Sequence, residues 1–477
     1  MLIEFRVKNF RSLRDEQVFS LVASKDKTLQ DTHTHETHIG AAPFLVRSAV
    51  IYGANASGKS NLIKALQYMR EVVTRSATNV QPGETFAVQP FRLDAESAGQ
   101  PSGFEVTLLL DGVRYQYGFA MTMQRIVSEH LLVYQTFKPQ RWFTRHFDTG
   151  TGKDVYDFGS GLKGPKNLWE GATRPNALFL SMAVQLNGEA LRPVFDWFLN
   201  RLVIFNEQAK LSPQVSLQML RRADGRREIC SILSAADISI ADIDVKTRKG
   251  LEQSFHLKLQ SFDDLQEQIR KLELQAKAVR DQEVDDMPET IAEYKIRLSE
   301  IFPPHKSAYA PQSVAKKVMP KYVDPAIEEH DLHFHHVTKQ GKAVFDLMDE
   351  SNGTRNLLFL AGPMLDILSK GLTLVVDELD TSLHTLLVRE LVRLFHRRET
   401  NTGGAQLIFT THDTSLLNAP DLFRRDQVWF VEKDRDQASA LVSLSEFSPR
   451  KNEALERGYL MGRYGGVPLL SPLGQEP

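Results

Sequence analysis

The eight residues Gly53-Ala-Asn-Ala-Ser-Gly58-Lys59-Ser60 constrain this chain more than any other stretch, because they fit G-x-x-x-x-G-K-[ST] at every fixed position. Ser48-Ala-Val-Ile-Tyr52 before them is a short apolar run of strand type, and Leu62, Leu66, Met69 and Val73 after them recur at helical spacing. The segment therefore predicts a loop between a strand and a helix N-terminus, where free backbone N–H groups and the positive end of the helix dipole meet a polyphosphate. Gly53 and Gly58 let the backbone approach the phosphates, with Asn55, Ser57 and Asn61 in the same cradle. Lys59 is expected to neutralise the β/γ oxygens and the Ser60 hydroxyl to hold Mg²⁺. A chance glycine-rich turn would not come with both the strand and the helix.

A chain of 477 residues can bury a large core and is expected to form two or three domains. Its net charge of −2 gives no long-range attraction to nucleic acid, so a DNA contact would need a local patch. The single cysteine, Cys230, excludes an internal disulfide framework and a Cys-x-x-Cys metal hook, as a reducing cytoplasm allows. Met1-Leu-Ile-Glu-Phe-Arg-Val-Lys8 alternates as a strand does and does not read as a signal peptide. No apolar run reaches the roughly 18 residues of a membrane span. The expectation is a soluble, cytoplasmic protein.

Before the loop, Phe5 to Leu13 reads as an extended segment ending in a polar turn. The first 75 residues are expected to hold two strands, a loop and the helix. His33, His35 and His38 fall in a Thr-rich stretch without ligand spacing and are read as a solvated loop. Strands are expected at Phe86–Phe91 and Phe104–Leu110, with Asp111-Gly112 turning into Tyr115–Phe119. Residues 148–167 read as an exposed loop or hairpin, and Asn176 to Phe205 as mostly helical, closing on Leu202-Val-Ile-Phe205. Further on, Phe262, Leu265, Ile269, Leu272, Ala276 and Val279 form a heptad seam that resumes at Ile291, Tyr294, Leu298 and Ile301. Two such runs around an acidic, proline-marked break suggest a short antiparallel helical hairpin, and an ordinary helix pair is the alternative. Lys316, Lys317 and Lys321 read as a solvated face. His330, His333, His335 and His336 read as strand residues with structural or surface roles.

The chemistry returns after residue 345. Leu372-Thr-Leu-Val-Val376 followed by Asp377-Glu378 is a buried strand ending in two acids, the first suited to orient Mg²⁺ and the second to polarise an attacking water. Upstream lies Asp349-Glu-Ser351-Asn-Gly353-Thr354 at the start of a helical pattern. Downstream come Leu379-Asp380-Thr-Ser-Leu-His384 and then Leu407-Ile-Phe-Thr-Thr411-His412-Asp413, a strand ending in a histidine. Arg389, Arg393 and Arg397 recur every four residues, a stripe able to meet DNA or an acidic partner and more simply read as a solvated face.

This set, in this order, resembles the ATP-binding cassette superfamily: phosphate loop, Ser-x-Gly signature, Walker B strand, D-loop and switch histidine. The signature lies 26 residues before Asp377, and His412 lies 34 after Glu378. The resemblance implies that Lys59, Ser60, Asp377, Glu378 and His412 bind and hydrolyse ATP, with Asp380 in the D-loop. It also implies that Ser351 and Gly353 cap the γ-phosphate of a nucleotide held by another subunit. Gln89 is the candidate for the glutamine that contacts Mg²⁺ and the attacking water. Lys59 and Asp377 stand 318 residues apart, and a cassette split this widely is similar to the SMC, RecF and DNA-repair group. In that group an "nFrS" start brings Asn9, Arg11 and Ser12 toward the nucleotide. Gly353-Thr354, Asp377-Glu-Leu-Asp-x-Ser-Leu-His384 and Tyr459-Leu-Met-Gly-Arg-Tyr464-Gly are closer still to OLD-like ATPases.

The fold this implies is α/β: a P-loop ATPase head of ABC type, a mixed sheet with flanking helices, split by a helical, short coiled-coil-like insertion. Residues 1–209 and 331–477 would be the two halves of the head and 210–330 the insertion. OLD-family nucleases add a Toprim domain, whereas 65 residues follow His412 here, so no nuclease is expected in this chain. Asp426-Gln-Val-Trp-Phe-Val-Glu432 is expected to be a last cassette strand, and Glu432-Lys-Asp434-Arg-Asp436 only superficially matches a metal-binding pair. ATPases of this kind look like sensor subunits of two-gene phage-defence systems of the PARIS type. The partners implied are a second copy across the ATP, a separate effector such as a Toprim nuclease, and a phage-encoded trigger. A RecF-like DNA-binding ATPase is the competing expectation, and a transporter motor is disfavoured by the split cassette.

Overall fold

The computed structural model describes residues 1–205, 214–235, 240–247, 330–338, 341–381, 383–419, 421–447 and 453–467. The heptad runs and Lys316, Lys317 and Lys321 lie outside the described residues. The chain divides into two compact units, Met1–Asp244 with His333–Pro477, and Val245–Leu332. Of the second unit only strand ends are described.

In chain order the strands begin with β1 (Leu2–Lys8), β2 (Gln17–Ser20), β3 (Thr34–Glu36), β4 (Phe44–Val46), β5 (Ser48–Gly53), β6 (Ser102–Leu110), β7 (Val113–Met121), β8 (Ile126–Tyr134) and β9 (Gln140–Asp148). They continue with β10 (Lys153–Phe158), β11 (Leu202–Phe205), β12 (Ile240–Thr247), β13 (His330–Thr338), β14 (Gly341–Asp346), β15 (Thr373–Val376), β16 (Gln406–Thr410), β17 (Val428–Lys433) and β18 (Ser439–Ser443). One sheet has seven strands in the order β10-β9-β8-β7-β6-β1-β2, every pair antiparallel. A second has six in the order β11-β15-β16-β5-β17-β18. Its inner pairs are parallel and only β17–β18 is antiparallel. Two small sheets, β12-β13-β14 and β3-β4, complete the described strands.

The two large sheets follow from their side-chain patterns. β6 and β8 alternate between buried and half-buried positions, as antiparallel strands with one covered face do, whereas every residue of β5 is buried. Ala49 and Ile51 join the core that contains β1, β6 and the helix Lys59–Arg75. Val50 and Tyr52 join the opposite core, with Leu374, Val376, Leu407 and Phe409 and with Val388, Leu391 and Phe395 of the helix Thr385–His396. The helix after the phosphate loop therefore lies between the sheets. Burial of Leu62, Ile63, Leu66, Met69 and Val73 fixes its orientation, at about 1.5–3 kcal/mol for each large side chain. Asp111 and Gly112, at φ 49° and 79°, make the tight β6–β7 turn expected of that dipeptide.

A proline also shapes the helix Asn352–Lys370, which starts at the Ser351 cap. Pro363 has no N–H for the Phe359 carbonyl, and the buried Ser216 hydroxyl lies within 2.8 Å of Leu358 O and 3.2 Å of Phe359 O. Gly362 faces Ser216 so closely that a Cβ would meet its backbone at 2.5 Å.

Several expectations are corrected here. The stretch from 13 to 48 holds β2, β3, β4 and the short helix Gln30–His33, not one loop. Its strands are too short to show a period. Phe86–Phe91 belongs to no strand; Phe86, Val88 and Phe91 are buried as an irregular segment packed on the core. By contrast, Lys153–Phe158 pairs along its length with β9, which bears out the hairpin reading of the 148–167 stretch. β17 is followed by an antiparallel β18, and β12 is a strand inside the stretch read as mainly helical.

The solvated-loop reading of His33 is overturned. His33 is 3% exposed and its ring lies 3.7 Å, centroid to centroid, from that of His396. His396 Nε2 lies 2.8 Å from Ser48 Oγ, and Gln427 donates to the same hydroxyl. Burial pushes the His33 pKa down from 6.5 to about 4, and that of His396 well below its ordinary value. Both rings are neutral in the fold and gain protons near pH 6.5 when unfolded, so their stabilisation is present above pH 6.5 and is lost as pH falls toward 4. We expect the urea midpoint of the wild type to drop more between pH 7.5 and 5 than that of His33→Gln. Equal drops would refute this assignment.

Candidate functional site

The loop Gly53–Ser60 is built by backbone geometry few residues tolerate. Gly53, Ala56 and Gly58 have φ values of 157°, 61° and 113°. A Cβ on Gly58 would collide with Ser439 Oγ and come within 2.9 Å of Ser12 Oγ, so only glycine lets the loop lie flat on these two serines. Ser439 donates to Ser57 O (2.6 Å), its Oγ lies 2.7 Å from Ser12 Oγ, and Asn61 Nδ2 donates to Ser12 Oγ (2.7 Å). The β18 start and the N-terminal turn thus clamp the loop from below. At the far end Gly466 approaches Gly53 Cα, and Tyr459 donates to Gly466 O at 3.0 Å, which seats the C-terminal Tyr459–Gly465 segment behind the loop.

The loop opens on a cavity of about 580 Å³ lined by residues 54–61, Lys64, Glu378, His412 and Lys433. Lys59 is 6% exposed and donates to Gly53 O (2.8 Å) and Ala54 O (3.2 Å), so its ammonium curls back over the start of the loop. Burial lowers its pKa, against the opposing pull of Glu378, Asp377 and Asp380. Asp377 follows β15, and its Oδ1 accepts from Ser60 Oγ (3.1 Å) and from Thr410 Oγ1 (2.8 Å). Glu378 adopts φ 56°, an uncommon conformation for a non-glycine residue, of a kind that costs on the order of 1–3 kcal/mol and needs its surroundings to hold it. Its backbone N–H donates to Thr410 Oγ1 (2.7 Å) and Thr381 Oγ1 donates to its carboxylate (3.2 Å). His412 Nε2 lies 3.5 Å from Glu378 Oε1, and the His412 N–H donates to Asp380 Oδ2 (3.2 Å).

These residues suit a magnesium nucleotide. The Gly58 approach leaves the loop's backbone free of side-chain bulk. The buried Ser57 hydroxyl and Asp380 Oδ1 have no partner among the described residues. A hydroxyl and a carboxylate already in contact, Ser60 and Asp377, are the oxygen donors Mg²⁺ prefers.

Lys59, Ser60, Asp377, Glu378 and His412 are thus brought together, with Asp380 one bond behind. Ser12 touches the loop through Asn61 and Ser439. Asn9 is not at the cavity: it is 2% exposed, its amide donates to Ser97 O and Gln100 O, and its carbonyl oxygen accepts from Phe91 N–H. Arg11 lies with its guanidinium 5.7 Å over the Phe10 ring, and its N–H donates to Gln89 O. Gln89 itself is exposed and is not among the residues lining the cavity. Ser351 caps the helix Asn352–Lys370 by accepting from Thr354 N–H (3.0 Å), and Gly353 beside it is exposed. Neither lines the chain's own cavity. Asp434 and Asp436 each pair with Arg14 at 3.1 Å, which ties the β17–β18 hairpin to the N-terminal turn. Arg393 and Arg397 pair with Glu390, and Arg389 donates to Ser415 O, so the arginine stripe is engaged by its own fold.

Four contributors escaped sequence reasoning: Lys64, Lys433, Thr410 and Ser439. Lys64 had a signal, being one turn beyond Lys59–Ser60 on the loop helix. The others come from strands whose neighbours only the sheet order reveals.

Among curated proteins none matches the chain in sequence. Of solved structures, the SMC head domain from Thermotoga maritima aligns at 12% identity with a TM-score of 0.37, over 93% of this chain and 98% of that one. The Smc head domain with an extended coiled coil bound to the C-terminal domain of ScpA, derived from Pyrococcus furiosus, aligns at 14% identity with a TM-score of 0.33, over 97% and 98%. The family described as "AAA domain, putative AbiEii toxin, Type IV TA system" matches residues 48–418, from the strand that enters the phosphate loop to beyond His412. The chain belongs to this AbiEii-type family of AAA-domain ATPases.

Proposed function

We propose that the protein binds and hydrolyses ATP between two of its own subunits, and acts as the cytoplasmic sensor and scaffold of a two-component anti-phage system of the PARIS type. In this reading it holds a separate toxic effector, a Toprim nuclease, until a phage-encoded trigger acts. The observation that carries the ATPase part is the meeting of Lys59, Ser60, Glu378 and His412 around one cavity, with Asp377 bonded to Ser60 behind it, although Lys59 and Asp377 stand 318 residues apart in the chain. The family's description, with its putative toxin of a type IV toxin–antitoxin system, ties such ATPases to toxin systems, which favours a role beside a toxic effector.

The residues divide the work. The loop N–H groups and Lys59 bind the polyphosphate, Lys59 leaving Gly53 O and Ala54 O to do so. Ser60 and Asp377 would hold Mg²⁺, which when bound neutralises charge on the phosphate oxygens. Glu378 accepts the proton of the attacking water, and His412, 3.5 Å away, steadies that carboxylate. Ser351 and Gly353 lie exposed at a helix start outside their own cavity, the placement expected of groups that complete a partner's site. A nucleotide sandwiched this way favours the closed pair only by its differential affinity for that pair. The head halves at 1–209 and 331–477, with a helical hairpin between, remain part of this proposal.

The test is affinity purification of wild type and Glu378→Gln from infected and uninfected cells. A nuclease or other toxin that accumulates on the variant and leaves the wild type on infection is the expected result. Recovery of DNA and repair proteins alone, unchanged by infection, would replace this reading with a RecF-like one.

A further inference from the structure

We infer that Thr410 is a positioning residue: its hydroxyl sets Asp377 and Glu378 as one unit and thereby sets how strongly nucleotide binding depends on Mg²⁺. This rests on the ATP reading above. The hydroxyl has one proton and spends it on Asp377 Oδ1 at 2.8 Å, while its lone pair accepts the Glu378 N–H at 2.7 Å. Both bonds are made by a side chain that is 0% exposed, so no water substitutes for either partner. Ser60 donates to the same Oδ1 at 3.1 Å. Two hydroxyls thus hold one carboxylate oxygen, and the other would be the one available to Mg²⁺ or its water.

The second bond acts on the backbone. Glu378 at φ 56° is held against its own preference, and Thr410 Oγ1 supplies the acceptor for its N–H. Leu379 N–H also donates to Thr410 O (3.1 Å), so this one residue grips the turn that carries both acids on two sides. The sheet order explains why it can. β16 lies beside β15, with Val376 opposite Phe409, so the next residue on each strand is Asp377 and Thr410. The neighbouring Thr411 serves another purpose, its hydroxyl accepting from Asp413 N–H at 3.0 Å in a local turn.

The experiment compares wild type with Thr410→Val, which keeps the shape and removes the hydroxyl. A fluorescent ATP analogue is titrated in EDTA and across a Mg²⁺ series, with turnover and melting temperature measured alongside. Thr410→Val should bind in EDTA within about twofold of wild type, need about 10–100-fold more Mg²⁺ for half of the metal-dependent gain, and lose kcat by a similar factor. Thr410→Ser should restore both. Should Thr410→Val not fold, Thr410→Ser against Thr410→Ala isolates the same hydroxyl. An unchanged Mg²⁺ midpoint, or a Ser variant as impaired as Val, overturns the inference. So does a fall in EDTA binding and melting temperature that matches the lost turnover. A wild type that binds no nucleotide at all would overturn the ATP reading itself, and the inference with it.

Discussion

Glu378→Gln is expected to bind ATP as tightly as the wild type and to hydrolyse it about 10²–10⁴-fold more slowly, the usual contribution of a positioned general base. The amide keeps the size of the carboxylate and can still accept from Thr381 Oγ1, now 3.2 Å from Oε2, so the φ 56° turn need not move. It cannot take a proton. The amide keeps the 3.5 Å contact with His412 Nε2, and neither side chain binds the phosphates in this reading, which is why binding should be spared. Single-turnover hydrolysis with protein in excess measures the chemical step, and equilibrium titration measures the binding. A variant with more than about a tenth of wild-type turnover would remove Glu378 from the role of base and point to His412 or a partner's residue.

The second large effect is on binding. Lys59→Met keeps most of the buried stem and removes the ammonium. A hydrogen bond to a charged group contributes about 1.5–3 kcal/mol, so ATP affinity should fall roughly 10–150-fold. Part of the loss has a different origin: Gly53 O and Ala54 O, which Lys59 Nζ reaches at 2.8 and 3.2 Å, lose their partner in the free protein. The variant's melting temperature should therefore drop slightly without nucleotide, and the usual rise on adding ATP should be absent. Titration calorimetry in Mg²⁺ checks the affinity. A change smaller than about threefold would mean that the loop N–H groups alone carry the phosphate.

Much of the site was legible because its chemistry is local. A phosphate loop needs glycine at fixed offsets, a lysine and a hydroxyl, all within eight residues, and its strand and helix are adjacent in the chain. The same holds for Val376-Asp377-Glu378 and for Phe409–His412, where an apolar strand ends in a chemical group. Gln89 and Asn9 show the limit. Asn9 was a candidate through the resemblance of its "nFrS" stretch to the SMC and RecF group, yet its amide is used up on Ser97, Gln100 and Phe91. Nothing in the order of residues says which carbonyls will lie nearby.

The histidines make the same point in reverse. His33 sits among Thr and His residues and reads as solvent-facing, yet the turn from Gln30 to His33 places it on His396, in a pocket floored by Ser48 of the central strand. A polar residue is buried when distant segments supply its partners, and those segments are set by sheet order.

From its residues alone this chain was committed to a phosphate loop between a strand and a helix, to a second strand ending in two acids, and to a third strand ending in a histidine. Period and spacing carry that much because each depends on neighbours within a turn or a strand. Sheet order decided the rest: β5 between β16 and β17, β15 beside β16, β18 beneath the loop. That order brings Ser60 to Asp377, Thr410 to both acids and Ser439 to Gly58, contacts between residues 32 to 381 positions apart in the chain. Such pairings depend on which strands find each other as the two cores close, and no local pattern encodes that choice.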